Sequence, residues 1–458
     1  MNLRQFFRRM KMRDAEIAAL LFTASFLINV ISTTLEPVIW WDEGVYSGLG
    51  MNLASNPFDY SFKHFEDFSY DWPGKAGYKS PLLPYTLAGA YVLNVPLATV
   101  VPLIAAVGVA ALYLFMSRAI NRRSGLWAAM FLMIMPLFAY FSGKMLTDAP
   151  AAAMGSILLL LFWRGFEEGD NRFKAAGGAM LGLAILMRLT FIWVPGILFA
   201  YMMIRHKNIK FLKDRWLWIS LAACFLVLLP WLWYGFIEYG TPLGPLIHSG
   251  RAMYYWGGTQ PATFYFENWL ESFAAVGIAA IFGAAIALRK RNPANLLLLF
   301  WFTGALAFSM LMPHKEMRFL LIGAPAMAGL AAVAIGSVPR RQLLAGIIVL
   351  LLTAGTLTAW FWQAAVNADT PENACFLRAM NYLSTTEGDA IIYNRNSPVT
   401  YHYTHRESLP VGEMRPATDM PAYYFWSKID IVPKVDDISS MAAPVWSCES
   451  AEVWKLNR

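Results

Sequence analysis

Residues 97–117 read LATVVPLIAAVGVAALYLFMS, a run of 21 residues without a charged side chain. Because a helix rises about 1.5 Å per residue, this run is long enough to cross about 30 Å of hydrocarbon. Residues 174–204 are also apolar but contain Arg188, which predicts two shorter helices there. Further runs lie near 15–33, 125–143, 149–164, 216–235, 269–288, 294–312, 319–336 and 343–362. The pattern predicts about eleven transmembrane helices.

The composition indicates a polytopic membrane protein. Of the 458 residues, 57% are hydrophobic and only 15% are charged, whereas soluble domains carry about 25% charged residues. The net charge of +7 is weak evidence for nucleic-acid binding, because membrane proteins concentrate Lys and Arg in cytoplasmic loops. Three cysteines without a C-x-x-C pair predict neither a disulfide framework nor a structural zinc site. An ordinary cytosolic enzyme is therefore excluded.

The distribution of basic residues predicts the orientation. The first apolar run has a basic flank and no small-residue cleavage site after it, which indicates a retained signal anchor; the flank consists of Arg4, Arg8, Arg9, Lys11 and Arg13. Alternate connecting segments hold 21 of the 37 Lys and Arg residues: 1–14, 118–124, 164–174, 205–215, 289–291 and 340–341. By the positive-inside rule, the N-terminus is cytoplasmic and the C-terminal tail is outside, most simply at a plasma or inner membrane.

This alternation requires that the run 81–95 does not cross the bilayer. It is short, contains Pro81 and Pro84 and is followed directly by Pro96, so we expect an interfacial or re-entrant helix, with a twelfth span as the alternative. Residues 1–362 then form a membrane domain, in which 34–96 is the first outer loop. Residues 363–458 form a small α+β domain outside the membrane.

The tail carries local signals for its own fold. Residues 371–385 have a helical pattern, and the apolar runs 390–393 and 423–426 are typical of strands between turns. Cys375 and Cys448 both lie in this tail, so a disulfide between them is one alternative, whereas Cys224 lies in an apolar run and is expected to serve packing.

The stretch Trp40-Trp41-Asp42-Glu43-Gly44-Val45-Tyr46 follows the first span. Two carboxylates beside tryptophans at a membrane surface are poorly solvated on one side, which raises a carboxylate pKa toward that of a general base. Tryptophans of an interfacial belt followed by an acidic helix start explain the same residues without catalysis. Asp42 and Glu43 are the catalytic candidates, and Tyr46 is a supporting one.

A second acidic residue, Asp148, lies in Thr147-Asp148-Ala149-Pro150 at the predicted outer end of a span. Asp or Thr before a proline in the first helical turn is also a common helix cap. Because the charge count assigns Asp148 to the same face as Asp42, we expect the two carboxylates to converge on one site.

Positive residues on the outer side are sparse and therefore informative. His314, Lys315 and Arg318 lie with Glu316 in the sequence PHKEMRF, residues 313–319, between two spans. Arginine binds phosphate bidentately, so this group predicts an anionic ligand; ion pairing with Glu316 and snorkelling side chains are the alternative. The other outer cations are Lys79, Lys144, Arg188 and Arg251, with His248 close to Arg251 in sequence.

These residues fit one chemistry. Nucleotide-activated sugars are absent outside the cytoplasm, so a transferase there needs a donor that its lipid carries. A phosphate leaving group needs fixed cations, and an acceptor hydroxyl needs a carboxylate base.

Several motifs together resemble the GT-C glycosyltransferases, especially protein O-mannosyltransferases and aminoarabinose transferases. They are the Asp-Glu pair, the Thr-Asp-Ala-Pro turn and Lys79-Ser80-Pro81-Leu82-Leu83-Pro84-Tyr85, where Ser80 replaces a proline that many relatives have. Residues 314–319 are similar to the His-Lys-Glu-x-Arg-Phe signature of mannosyltransferases that use lipid-linked sugars. The resemblance covers roughly residues 15–362.

The resemblance implies an inverting transfer of a hexose or pentose from a polyprenyl-phosphate donor to a glycan, lipid or protein acceptor in cell-envelope glycosylation. Asp42 is then the base, Glu43 stands beside it and Asp148 orients the acceptor. The donor phosphate lies near Lys79, Arg188, His314, Lys315 and Arg318, with Glu316, Tyr46, Arg251 and His248 in support. Some relatives use a divalent cation; here the cations suit that electrostatic role, so no metal is predicted.

Two other classes of function stay open from the residues alone. A transporter or lipid flippase with an outer charged gate is one, although such proteins usually show internal repeats and polar midplane helices. A non-catalytic assembly partner is the other, and it predicts no shared pocket for Asp42 and Asp148.

Overall fold

The structure is a computed structural model that describes residues 12–61, 77, 79–255, 259–338, 340–386, 389–414, 420–430, 434–435 and 438–457. The basic residues Arg4, Arg8, Arg9 and Lys11 lie outside these ranges, as does part of the first outer loop. By internal contacts the chain forms two compact units. One comprises Met1–Thr33, Tyr78–Leu82 and Ala98–Phe361, and the other comprises Thr34–Gly77, Leu83–Leu97 and Trp362–Arg458.

The first unit is a helical membrane bundle. Helices are numbered in chain order, and α2 (Trp41–Ser55) and most of α3 (Leu82–Val92) belong to the second unit. The helices of the bundle are α1 (Met12–Thr33), α4 (Val100–Ala119), α5 (Arg122–Ile134), α6 (Pro136–Phe141), α7 (Asp148–Phe162), α8 (Asn171–Met187), α9 (Val194–His206), α10 (Arg215–Tyr239), α11 (Gly244–Tyr255), α12 (Phe264–Glu267), α13 (Trp269–Lys290), α14 (Pro293–Leu311), α15 (Ala324–Gly336) and α16 (Gln342–Ala368). The last of them, α16, continues into the second unit. A π-helical turn, Trp163–Glu167, follows α7, and 3₁₀ turns at Leu97–Thr99, Leu189–Trp193, Lys210–Lys213 and Met317–Gly323 join other helices.

Nine helical stretches in the described residues are long and apolar enough to cross a membrane. The other two predicted spans are shorter helices: α5 and α6 are separated at Met135, before Pro136, and α8 has 17 residues. Arg188 separates α8 from the next span, as its charge predicts. The stretch 317–336 is central, because 83% of its apolar 18-residue segment is buried. In α10, only 11% of the corresponding segment is buried. The chain is a multi-pass membrane protein.

Small residues allow the bundle helices to pack closely, as is usual in membranes. A Cβ atom built on Gly283 of α13 would lie 1.9 Å from the carbonyl oxygen of Leu330 on α15. Gly178 of α8 approaches the carbonyl oxygen of Ser220 on α10 equally closely. Backbone atoms fill the space that a side chain would need.

One end of the bundle carries ion pairs between basic connecting segments. Arg164 contacts Glu168 at 3.0 Å and Asp170 at 3.6 Å, and Lys174 contacts Asp214 at 2.5 Å. Burial raises the pKa of Asp214, but its hydrogen bonds with Lys174 and the Trp216 amide outweigh this effect and lower it below 3.8. These segments are the ones that the positive-inside rule assigns to the cytoplasm; the orientation itself stays a prediction.

The second unit combines the first outer loop with the tail. It contains α2 (Trp41–Ser55), most of α3 (Leu82–Val92), α17 (Pro371–Ser384), α18 (Ser397–Thr404) and α19 (Ile438–Met441), with 3₁₀ turns at Val411–Glu413 and Lys428–Asp430. The strands are β1 (Ile391–Asn394), β2 (Ser408–Pro410), β3 (Ala422–Ser427), β4 (Ala442–Cys448) and β5 (Ala451–Leu456), in the sheet order β2-β1-β3-β5-β4. The predicted tail helix and both predicted strands are present. With eleven residues, α3 is about 16 Å long, too short to span a membrane.

The sheet is mixed. β1 pairs in parallel with β2 and β3, whereas β5 pairs antiparallel with β3 and β4. One core cluster contains Phe376 of α17 and Phe425 of β3, whose rings lie 5.6 Å apart, and Val38 and Ile39 of the outer loop pack against it. A disulfide joins Cys375 to Cys448, and Cys224 is a buried free cysteine. The second unit contains most of the first outer loop as well as the tail. The division into a membrane domain 1–362 and a separate tail domain 363–458 therefore stays a prediction.

We expect Gly283→Ala to destabilise the bundle by about 1–3 kcal/mol, because the added methyl group forces α13 and α15 apart. Gly196→Ala in α9 is the matched control, since the space around that position is open, and it should be neutral or stabilising by up to about 1 kcal/mol. Thermal unfolding of both variants in detergent measures the difference. Equal midpoints for the two variants would contradict the close packing.

Candidate active site

Three spans begin at one cluster of charged side chains in the membrane bundle. Asp148 is the first residue of α7, Arg188 precedes the turn Leu189–Trp193, and Arg318 lies in the turn Met317–Gly323. Helix N-termini carry partial positive charge and unpaired N–H groups, which favours a carboxylate such as Asp148 there. The prediction that Asp148 lies at the start of a helix is confirmed.

The Asp148 carboxylate lies between two guanidinium groups. Its Oδ1 atom is 2.8 Å from Arg188 Nη1, and its Oδ2 atom is 3.9 Å from Arg318 Nη1. The three side chains are only 2%, 11% and 13% exposed, respectively. Arg188 also donates a hydrogen bond to Thr147 Oγ1 at 3.0 Å. Buried charges need partners of this kind, because desolvation of an isolated ion costs several kcal/mol.

Glu316 extends the cluster from Arg318 to His314. Arg318 donates to both carboxylate oxygens of Glu316, and His314 Nε2 lies 3.0 Å from Oε1. Burial raises the pKa of Glu316, but the hydrogen bond and charge of Arg318, followed by those of His314, outweigh it and hold the pKa below its usual value. The internal pairing foreseen as an alternative is therefore present for Arg318.

Lys315 has a different environment from its neighbours. It is 5% exposed, and its ammonium group donates to the carbonyl oxygens of Gln260 and Met312, both at 2.8 Å. Its backbone N–H donates to Gln260 Oε1 at 2.5 Å. Two of its three ammonium donors thus fix the segment 312–315 to the segment before α12.

Phe319 supplies an aromatic face to both arginines. The guanidinium carbon of Arg188 lies 5.1 Å from the ring centroid, and that of Arg318 lies 5.8 Å from it. Cation–π contacts of this length are attractive and remove water from one side of each cation. The cluster is therefore partly desolvated.

The other cations that the sequence assigns to the outer side lie on other segments of the bundle than Arg188 and Arg318. Ser80, next to Lys79, accepts a hydrogen bond from the Leu189 amide at 3.2 Å, so this segment reaches the residue after Arg188. His248 stacks on Tyr239 with 4.5 Å between ring centroids, and Arg251 is exposed on the same helix, α11. Lys144 lies over the Tyr140 ring at 5.3 Å.

Asp42 and Glu43 lie in the first turn of α2, in the second unit. Glu43 is 3% exposed, and its Oε2 accepts a hydrogen bond from the Trp40 amide at 2.9 Å. This contact satisfies one of the amides that a helix start leaves unpaired. Asp42 is half-buried, and Tyr46 is buried one turn later. Glu43 thus has the capping contact that the sequence offered as an alternative to catalysis.

Helix α18 of the tail packs against α2 in this unit. Tyr403 Oη accepts a hydrogen bond from the Ile39 amide at 3.2 Å and donates one to the Pro37 carbonyl at 2.8 Å. His402 Nδ1 lies 2.8 Å from Ser47 Oγ. Sequence reasoning missed Tyr403, His402 and Gln260, because their partners are distant in sequence and no motif marks them.

The family model for Alg9-like mannosyltransferases matches residues 91–406, which is more than half of the chain. The chain belongs to this family. The matched range includes Asp148, Arg188 and residues 313–319 but begins after Asp42. A search of curated proteins finds no match.

Solved structures place this Alg9-like protein in the GT-C fold. ArnT from Cupriavidus metallidurans bound to undecaprenyl phosphate has a TM-score of 0.73 at 13% identity, over 95% of this chain and 97% of that one. The archaeal oligosaccharyltransferase AglB from Archaeoglobus fulgidus gives 0.62 at 14% identity, over 88% and 64%. Arabinofuranosyltransferase AftD from Mycobacteria gives 0.58 at 12% identity, over 97% and 40%. The predicted GT-C membrane fold is confirmed, and family membership indicates a glycosyltransferase.

Within the described part of this Alg9-like chain, no group of three or more His, Cys, Asp and Glu side chains is arranged to hold a metal ion.

His402 predicts a pH-dependent stability of the second unit. Burial, followed by the charge of His405, lowers its pKa to about 4. The folded state therefore favours neutral His402, so its contribution is complete above the unfolded pKa of about 6.5 and declines as the pH falls toward 4. Between pH 7 and pH 5 we expect a loss of about 2 kcal/mol, measured by limited proteolysis of the full-length protein. His402→Asn should reduce this dependence; an unchanged pH profile in that variant would contradict the assignment.

Proposed function

We propose that this membrane glycosyltransferase moves a sugar from a polyprenyl-phosphate donor to an acceptor hydroxyl on the extracytoplasmic face, with inversion at the anomeric carbon. The observation that carries the proposal is the pair of buried arginines, Arg188 and Arg318, on either side of Asp148 at the start of three spans. The undecaprenyl phosphate bound to the similar ArnT supports a lipid phosphate donor. The family model favours a mannosyl-type hexose over a pentose.

The two guanidinium groups suit a lipid phosphate in charge and shape. Arginine donates paired N–H groups to phosphate oxygens, and helix N-termini add further attraction for an anion. When the bond between the anomeric carbon and the phosphate oxygen breaks, the leaving polyprenyl phosphate gains negative charge. Fixed, partly desolvated cations stabilise that charge most effectively, because they need no reorganisation during the reaction.

Asp148 fits a role in the alignment of these arginines. The sequence resemblance assigns it to the acceptor, but its contact with Arg188 and its approach to Arg318 favour a role on the donor side. Glu316 and His314 support Arg318 in the same way, and Lys315 holds the connecting segment through backbone carbonyls. Lys79 is a further candidate for the phosphate, because Ser80 next to it contacts the Leu189 amide.

Asp42 is the proposed general base. Its carboxylate accepts the proton of the acceptor hydroxyl while that oxygen attacks the anomeric carbon from the side opposite the phosphate. General-base catalysis of this kind contributes about 10²–10⁴ in rate. Glu43 keeps the helix start in place through its bond with the Trp40 amide. The acceptor class comprises glycan, lipid and protein hydroxyls.

The extracytoplasmic assignment rests on charge. The ion-paired Arg164 lies just beyond the end of α7 that is opposite Asp148, and the ion-paired Lys174 lies near the end of α8 that is opposite Arg188. The span 148–167 alone separates the two ends by about 30 Å. With the basic end in the cytoplasm, the cluster faces the outside, where the sugar donor is lipid-linked.

Asp42→Asn should reduce turnover by at least about 10²-fold and leave donor affinity nearly unchanged, because the amide keeps the shape but cannot accept the proton. Transfer of a radiolabelled sugar from a polyprenyl-phosphate donor, with donor binding measured in parallel, checks this expectation. Asp369→Asn is the matched control, an exposed carboxylate of the same unit. Near-normal turnover of Asp42→Asn would remove the assigned base.

Arg318→Ala should weaken donor binding by about 10–100-fold, since hydrogen bonds to charged groups contribute about 1.5–3 kcal/mol. Because the alanine variant leaves Glu316 with fewer partners, Arg318→Lys is tested beside it and should retain the fold with an intermediate affinity. Arg172→Lys, at an exposed position, controls for a general effect of the substitution. Donor affinity equal to that of the wild type in both Arg318 variants would exclude the phosphate role.

A further inference from the structure

We propose that helix α18 of the C-terminal domain is a positioning element for the catalytic loop, and that Tyr403 and His402 fix the start of α2, where Asp42 lies. The inference rests on the proposed role of Asp42 as the base. It assigns a function in the transfer reaction to a tail domain that the sequence alone left without one.

Tyr403 holds the chain just before Asp42. Its single hydroxyl group accepts a hydrogen bond from the Ile39 amide and donates one to the Pro37 carbonyl. The ring is itself fixed from behind, because it packs edge-on against Phe376 of the domain core, with centroids 6.2 Å apart. The Tyr403 side chain therefore links the segment that leads into the helix start to the core of the tail, against which Val38 and Ile39 also pack.

His402 holds the helix just after Asp42. Its Nδ1 atom lies 2.8 Å from Ser47 Oγ, and Ser47 donates its own hydroxyl proton to the Gly44 carbonyl at 3.1 Å. When that proton is directed at Gly44, the bond between the two side chains uses a proton on His402 Nδ1. The two tail residues thus contact the outer loop three residues before Asp42 and five residues after it.

Gly44 allows the two helices to approach this closely. A Cβ atom on Gly44 would lie 2.7 Å from the carbonyl carbon of Pro398 and 2.8 Å from the Val399 nitrogen. Both are backbone atoms at the start of α18, which cannot move aside as a flexible side chain would. Two residues after Asp42, backbone therefore packs directly on backbone.

This arrangement explains why the base needs the tail. A general base must stay within hydrogen-bond distance of the acceptor hydroxyl, and a displacement of about 1 Å can cost about 10²-fold in rate. Asp42 lies in the first turn of a helix that follows an irregular loop, and such turns fray unless other groups hold them. Loss of the contacts should therefore slow the chemical step more than donor binding.

The test uses the full-length enzyme in detergent with a polyprenyl-phosphate sugar as donor. Tyr403→Phe removes only the hydroxyl that bridges Ile39 and Pro37, and it should lower kcat by about 10-fold or more with an unchanged donor KM. Tyr382→Phe is the matched control in the same domain, because the Tyr382 ring stacks on Trp446 and the described residues show no hydrogen bond from its hydroxyl.

His402 supplies a second, independent pair of variants. His402→Asn retains an N–H donor near the position of Nδ1 and should keep most of kcat, whereas His402→Leu has similar bulk without a donor and should lose kcat. The amount of donor that each variant binds, together with its thermal midpoint, gives the folded fraction of that variant. Each kcat is corrected by this fraction. A simple packing role would lower the midpoint without this separation of kcat from KM and without recovery in the Asn variant.

The outcomes separate the two levels of the proposal. If Asp42→Asn is inactive while Tyr403→Phe and His402→Leu keep wild-type kcat, the positioning role is wrong and the base assignment survives. If Asp42→Asn turns over normally, the proposed function fails at the base, whatever the tail variants do.

Discussion

The ion pair between Asp148 and Arg188, with Arg318 on the other carboxylate oxygen, is the interaction on which the membrane unit depends. Two arginines buried among spans are costly unless a carboxylate balances them. Asp148 does so from the first residue of α7, where the helix dipole also favours its charge. The same contacts join the starts of three spans that are distant in sequence. The balance of these buried charges and the packing of the bundle therefore depend on the same contacts.

The cluster is built to keep its cations in place before any ligand arrives. Glu316 and Phe319 constrain the guanidinium of Arg318, and Gln260 anchors the segment that carries it through Lys315. A positively charged site made of long flexible side chains would lose entropy each time it bound an anion. Here contacts within the folded protein already restrict these side chains, which suits the proposed stabilisation of a leaving phosphate.

The sequence predicts the parts of this architecture that are encoded locally. Apolar runs mark the spans, Arg188 marks the break between two helices, and residues 314–319 mark the cation cluster, since each signal lies within one stretch of chain. Contacts between distant stretches leave no such signal: Gln260 with Lys315, Tyr403 with Ile39, and the grouping of the outer loop with the tail. The role of Glu43 was ambiguous for a related reason, because a capping carboxylate and a catalytic one have the same sequence pattern.

In the proposed reaction, the membrane bundle supplies electrostatic stabilisation and the second unit positions the general base. Electrostatic stabilisation tolerates small displacements, because the attraction between charges falls slowly with distance, and spans packed through glycines supply it with rigid supports. Proton transfer is far more sensitive to distance, and Asp42 lies on a loop-to-helix junction that the bond between Glu43 and the Trp40 amide supports locally. Directional hydrogen bonds from a folded tail are what such a junction needs, and Tyr403 and His402 provide them on both sides of the carboxylate. In this proposal, the tail domain contributes to the reaction because it holds the helix start that carries Asp42.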